Sequence, residues 1–257
     1  MSLLLIALCL GAGGLIGFMG GVLGIGGGLI AIPALVLLMG MSQQLAQGTA
    51  LIMVLPTIMM AVRKYNQQTR IDRRVALAGA GGAVVFTWVG ARLALGIESG
   101  VLRLSFAVFL FFIALFYAWQ TWRAGAVRRA PKGSGHAPVF TPRRATLLGV
   151  LCGTLGGFFG VGGAVLAVPI ITTVFRLSQT TAQALALCMV IPGSAVALVT
   201  YSWAGKADWL VGLPLAAGSL LFVPVGVRLA YRLPERKLRA CFAAMLFATV
   251  ALLVFES

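Results

Sequence analysis

Gly20-Gly21-Val22-Leu23-Gly24-Ile25-Gly26-Gly27-Gly28-Leu29-Ile30-Ala31-Ile32-Pro33 returns later in the same chain as Gly156-Gly157-Phe158-Phe159-Gly160-Val161-Gly162-Gly163-Ala164-Val165-Leu166-Ala167-Val168-Pro169. The offset of 136 residues holds without a gap from Gly13–Phe106 onto Gly149–Phe242, and 35 of those 94 aligned positions are identical. Beyond the glycines, Ser42-Gln43, Ala46-Gln47, Pro56, Tyr65, Asp72, Gly90, Arg92 and Arg103 fall on Ser178-Gln179, Ala182-Gln183, Pro192, Tyr201, Asp208, Gly226, Arg228 and Arg239. Self-similarity at one fixed offset over this length marks a duplicated structural unit.

The solvent of that unit follows from composition. Of the 257 residues, 60% are hydrophobic and 10% charged, with a mean hydropathy of +1.03. Soluble domains carry about 25% charged residues, so an ordinary water-soluble globule is excluded. Apolar runs recur along the whole chain, each near the ~20 residues that cross a hydrocarbon core as a helix. The stretch Met1 to Gly14 is apolar without a basic leading segment and reads as a first membrane segment, not a cleaved signal. Cys9, Cys152, Cys188 and Cys241 show no paired spacing. They are expected as small buried packing residues rather than disulfides or metal ligands.

Each unit reads as five helical segments, near 3–23, 29–40, 43–62, 75–95 and 101–122, then near 145–160, 165–175, 179–202, 209–230 and 237–255. Residues 1–122 form the first repeat, 123–144 a solvated basic linker with the only histidine, His136, and 145–257 the second repeat.

The net charge of +15 comes from short inter-helical segments rather than from one basic face, which argues for membrane topology and against a nucleic-acid partner. Loop 63–74 carries five Lys/Arg while its counterpart 199–210 carries only Lys206. Conversely, 95–103 carries only Arg103 while 231–239 carries Arg232, Arg236, Lys237 and Arg239. Placing loop 63–74, the linker, Arg176 and segment 228–239 in the cytoplasm collects 17 of the 20 basic residues there and leaves Arg92, Arg103 and Lys206 outside. The arrangement requires an odd number of crossings per half. The expected fold is therefore an all-α polytopic membrane protein of two inverted-topology repeats, each with four to five transmembrane or half-helical segments broken at a Gly-rich loop, with both termini outside.

The breaks are the candidate site. Clustered glycines at 24, 26, 27 and 28, and at 160, 162 and 163, weaken a helix by roughly 1 kcal/mol each. The backbone is expected to unwind there, with a short helix starting just after. Free amides and the dipole at such a start suit an anion, and irregular backbone at membrane depth must be buried or line a cavity. Gly24, Gly26, Gly27, Gly28, Gly160, Gly162 and Gly163 are thus candidate substrate-lining residues. Upstream, Gly13, Gly17 and Gly21, like Gly149, Gly153 and Gly157, follow the small-xxx-small spacing of close helix packing. A dinucleotide loop fits poorly, since no strand precedes the glycines and no acidic residue follows at the usual distance.

The third segment of each unit opens with polar groups. Gln43, Gln47, Thr49, Gln179 and Gln183 are candidate substrate contacts, with interhelical hydrogen bonding the equal alternative. Arg92 and Arg228 lie about one turn inside their helix ends, where snorkelling to the interface competes with guiding an anion. Asp72 and Asp208 read as N-caps, and Tyr65 and Tyr201 as members of the interfacial aromatic belt.

These residues resemble the sulfite exporter TauE/SafE family, within a superfamily that also includes toluene-sulfonate uptake permeases. The resemblance rests on Gly24-Ile25-Gly26-Gly27-Gly28 with Pro33, on Gln47-Gly48-Thr49-Ala50-Leu51, and on Gly90-Ala91-Arg92-Leu93-Ala94. The second half repeats it as Gly160-Val161-Gly162-Gly163 with Pro169, and as Gly226-Val227-Arg228-Leu229-Ala230. It departs at Ala164, opposite Gly28, and at Ala184-Leu185, opposite Gly48-Thr49. The resemblance implies transport of sulfite, sulfonates or related sulfur-containing anions. A secondary carrier working by alternating access in a bacterial inner membrane is the leading expectation. An anion channel and a membrane-embedded assembly factor are the alternatives. With no HExxH, no paired intramembrane carboxylates and no Cys/His cluster, no catalytic residue, metal site or cofactor is expected. The expected partners are a small anion and the lipid bilayer.

Overall fold

The computed structural model describes residues 3–67, 72–126 and 140–255. Among them every regular element is a helix: α1 (Leu3–Leu23), α2 (Gly28–Met39), α3 (Gln43–Asn66), α4 (Arg73–Leu95), α5 (Ser99–Ala126), α6 (Pro142–Phe159), α7 (Ala164–Val174), α8 (Gln179–Trp203), α9 (Trp209–Arg232) and α10 (Glu235–Phe255). Helices α1 to α5 and α6 to α10 repeat one order, as the duplicated sequence requires. Six of them, α1, α3, α4, α5, α8 and α9, are long and apolar enough to cross a membrane. Helices α2 and α7 are not, at about 18 and 16 Å if each residue rises 1.5 Å. The exterior presents Leu8, Leu38, Phe112, Leu147 and Leu221, an apolar surface that suits lipid.

Helix starts are set by side chains that recur in the repeat. Ser42 accepts a hydrogen bond from the Leu45 amide at 3.4 Å, and Ser178 one from the Thr181 amide at 3.3 Å. Asp72 Oδ1 accepts from Arg74 N at 2.9 Å, and Asp208 Oδ1 from Leu210 N at 2.9 Å. Each satisfies an amide that has no partner within its own helix, so the capping expectation for both aspartates holds.

The small-xxx-small glycines bring helices of opposite halves together. Gly13, Gly17 and Gly21 of α1 lie on the backbone of Leu215, Ser219 and Val223 of α9, so the two helices run parallel in step. Gly149, Gly153 and Gly157 of α6 lie in the same way on Gly79, Ala83 and Thr87 of α4. Every one of these positions faces main-chain atoms with no room for a Cβ, so the spacing serves close approach.

Helices α3 and α8, equivalent in the repeat, pass each other in opposite directions. The start of α3 at Gln47 meets the end of α8 at Tyr201, and the start of α8 at Gln183 meets the end of α3 at Tyr65. Short α2 and α7 pack against α3 and α8 respectively, and α5 packs against α10.

Several expectations change in detail. Helix α3 continues through Arg63 and Lys64 to Asn66, and α5 runs on to Ala126, past the segment end expected near 122. Most of the linker, including His136, lies outside the described residues. Cys9 and Cys152 are buried, whereas Cys188 is half-buried and Cys241 exposed; the last faces outward on α10, where a lipid-facing helix tolerates any small apolar group.

Candidate functional site

At each break the chain leaves the helix through left-handed glycines. Gly24, Gly26 and Gly27 have φ of 66°, 74° and 84°, and Gly160, Gly162 and Gly163 have φ of 67°, 74° and 76°. Residues with a Cβ rarely adopt this region. Gly28 is different: it is the first residue of α2 with helical backbone, as Ala164 is of α7. The departure at Ala164 therefore leaves the second break intact.

The two breaks meet. A Cβ on Gly28 would stand 3.6 Å from Val161 Cα and 3.7 Å from the Gly160 carbonyl oxygen. Helices α2 and α7 both start here, from N-caps Gly27 and Gly163 that have no side chain to cap the first turn. Their leading amides and positive dipole ends thus converge on one buried region. Each break is also covered by the glutamine of the other half. Gly24 abuts the Gln183 side chain and Gly160 abuts that of Gln47.

Those glutamines are held by the tyrosines. Tyr65 donates to Gln183 Oε1 at 2.9 Å, with the Gly21 carbonyl 3.0 Å from the same hydroxyl. Tyr201 donates to Gln47 Oε1 at 2.8 Å, with the Gly157 carbonyl at 3.2 Å. Both tyrosines are 0% exposed, which corrects their assignment to an interfacial belt. A phenol inside a helix bundle must find a partner, and here it finds the amide of the opposite half. Their 136-residue correspondence was the available signal; a belt residue has no reason to repeat with its glutamine.

The other candidates separate. Thr49 Oγ1 accepts from the Asp208 amide at 2.9 Å, and neighbouring Gly48 lies on the Lys206 carbonyl. This pair positions the loop before α9. Gln43 and Gln179 are buried at the starts of α3 and α8. The Gln43 backbone amide donates to Ser99 Oγ at 2.8 Å, and Gln179 lies beside Tyr117. Gln44, not among the candidates, ties the same helix start to the Ile97 carbonyl at 2.6 Å. Arg92 and Arg228 are exposed, and Arg92 lies over the Trp88 ring, 5.6 Å from its centroid. They do not join the central cluster.

Two features were missed in the sequence. The hydroxyls of Thr57 and Ser219 bond each other between α3 and α9. Ser194 of α8 is buried beside Gly162, and a Cβ on that glycine would stand 2.9 Å from Ser194 Oγ. Ser194 falls opposite Ile58 in the repeat, so the internal alignment gave it no weight.

Comparison with known proteins extends these observations. A 24% identical "Probable membrane transporter protein YunE" of Bacillus subtilis aligns with 94% of this chain and 93% of its own. A 25% identical "Probable membrane transporter protein" of Xylella fastidiosa aligns with all of this chain and 98% of its own. A "Probable membrane transporter protein MamO" of Paramagnetospirillum magneticum is 33% identical over 49% of this chain and 21% of its own. No solved structure matches. The model of the family described as "Sulfite exporter TauE/SafE" matches residues 9–253, nearly the full length. A multi-pass helical chain with these relatives is a membrane transporter and not an enzyme, and it belongs to the sulfite exporter TauE/SafE family.

Proposed function

We propose that this protein is a secondary carrier for a small anion, sulfite, an organosulfonate or a related sulfur-containing anion, in a bacterial inner membrane. The observation that carries the proposal is the meeting of the two glycine breaks. There the starts of α2 and α7 converge between α3 and α8. Two helix N-termini aimed at one buried region supply neutral hydrogen-bond donors and partial positive charge, as an anion needs away from water. Sulfur oxyanions enter through the family alone.

The halves are inverted in the membrane, with both termini outside. The antiparallel passage of α3 and α8 supports this, as does the exchange of positive charge between equivalent loops. Alternating access then follows from rocking one half against the other. The Tyr65–Gln183 and Tyr201–Gln47 bonds lie at opposite ends of α3. They serve as the inner and outer latches, each breaking as its side opens. The same residues Gly24, Gly26, Gly27, Gly28, Gly160, Gly162 and Gly163 form the pivot and lining.

The test is uptake of labelled sulfite and labelled organosulfonates into proteoliposomes holding the purified, folded protein. Saturable flux with counterflow is expected. Flux that never saturates, or none with any of these anions, overturns the carrier proposal.

A further inference from the structure

The two glycine breaks differ in how their neighbouring polar groups are hydrogen-bonded. Around the first break both ends of the Gln183 amide are used: Oε1 accepts from Tyr65, and Nε2 donates to the Leu23 carbonyl at 2.7 Å. Gly26 faces the Ile58 side chain, and the hydroxyls of Thr57 and Ser219 satisfy each other. Among the described residues no buried side-chain polar atom is left without a partner beside this break.

Around the second break the same positions carry smaller or unsatisfied groups. Gly193 stands for Thr57, Ala83 for Ser219 and Ser194 for Ile58. The smaller side chains leave a narrow gap, too tight for a water molecule in this conformation, lined by Ala83, Thr87, Gly162, Gly193 and Ser194. Ser194 Oγ on this gap and Gln47 Nε2 beside Gly160 are each buried without a hydrogen-bond partner among the described residues; their residues are 1% and 0% exposed. Gln47 packs on Gly160 and Ser194 faces Gly162, so each orphaned residue lies against a glycine of the break, just ahead of α7. Buried polar groups left unpaired are destabilising and in native proteins call for an explanation. A bound ligand that accepts hydrogen bonds supplies one.

We propose that the substrate is held asymmetrically, at the second glycine break. Ser194 Oγ and Gln47 Nε2 act as hydrogen-bond donors beside the first-turn amides of α7. The ligand class is a singly charged oxyanion, such as a sulfonate or hydrogen sulfite. Among the described residues no Lys or Arg lines the gap. Neutral donors in a low-dielectric interior hold one charge far more readily than two, because the cost of removing an ion from water rises with the square of its charge. This inference rests on the carrier proposal above, and the experiment separates them.

The probe is labelled methanesulfonate, measured for binding and for flux with the full-length protein in proteoliposomes. Unlabelled methanesulfonate and sulfate serve as competitors. Ser194→Ala is expected to weaken binding by about tenfold or more, the effect of losing one hydrogen bond to a charged group. Ser194→Thr, which keeps the hydroxyl, is expected to retain it. Thr57→Ala, which removes the hydroxyl beside the first break, is expected to leave affinity unchanged, and sulfate is expected to compete poorly. Unchanged affinity in Ser194→Ala, with normal wild-type flux, overturns the assignment while the carrier proposal stands. Equal losses in Ser194→Ala and Thr57→Ala overturn the asymmetry, and equal competition by sulfate overturns the charge selection. A folded wild type that neither binds nor moves any tested anion overturns both proposals.

Discussion

Tyr65 and Gln183 are 118 residues apart in the chain and joined by a 2.9 Å hydrogen bond across the boundary between the two halves. Tyr201 and Gln47 repeat the bond from the other side, 154 residues apart. Each bond links the end of one long helix to the start of its repeat partner, so the pair records the relative position of the halves at two levels of the bundle.

Removing either phenolic hydroxyl tests those levels separately. Tyr65→Phe leaves Gln183 Oε1 without its donor and is expected to cost about 1–3 kcal/mol, the penalty for orphaning a buried polar group. The Gln183 amide still holds Leu23 through Nε2. Tyr201→Phe is expected to shift the conformational equilibrium more, because Gln47 then has no side-chain bond among the described residues. Thermal unfolding in detergent reads the first effect, and the accessibility of a single cysteine label near each latch reads the second.

The left-handed glycines tolerate no side chain. Gly26→Leu and Gly162→Leu force a branched side chain into φ of 74°, at a strain on the order of 1–3 kcal/mol before any clash. Both variants are expected to reach the membrane and to lose anion flux. Measuring membrane-inserted protein alongside uptake separates insertion from transport, and unchanged uptake would remove the breaks from the site.

The packing glycines predict a different phenotype. Gly153→Leu drives a side chain into the Ala83 backbone, as Gly17→Leu does into that of Ser219. Overpacking of this kind costs typically ~1–3 kcal/mol, and more where backbone must move. Lower thermal stability and poor yield of folded protein are expected, in contrast to the break variants.

Arg92 and Arg228 offer a negative control. Both are exposed and stand apart from the central cluster. Arg92→Gln and Arg228→Gln are expected to leave the apparent affinity for the transported anion near wild type; a tenfold loss in either would return them to the pathway.

Orientation is tested at the C-terminus. A periplasm-active reporter fused after Ser257 is expected to be active and a cytoplasm-active one silent. The reverse result would refute the inverted arrangement proposed from the charge exchange.

Much of the architecture is local and was legible in the sequence. Gly24, Gly26 and Gly27 announce left-handed backbone because a Cβ is penalised there. Ser42, Asp72, Ser178 and Asp208 announce helix starts because their oxygens satisfy free amides. An apolar run of about 20 residues announces a span, and the 136-residue offset announces two units. These features need nothing from the rest of the chain. The fate of a polar side chain is different, since it depends on which group another segment brings within 3 Å. Gln47 and Gln183 occupy equivalent places in the repeat, yet only Gln183 finds a carbonyl for its amide nitrogen. Tyr65 reads as interfacial in the sequence and is buried, while Ser194, which the repeat does not single out, faces a glycine break without a partner among the described residues. Sequence alone determined that the chain is a doubled helical membrane unit with paired breaks. The tertiary structure decided which polar groups are spent on holding it together and which stay buried without a partner, because burial and hydrogen-bond satisfaction are properties of the assembled halves.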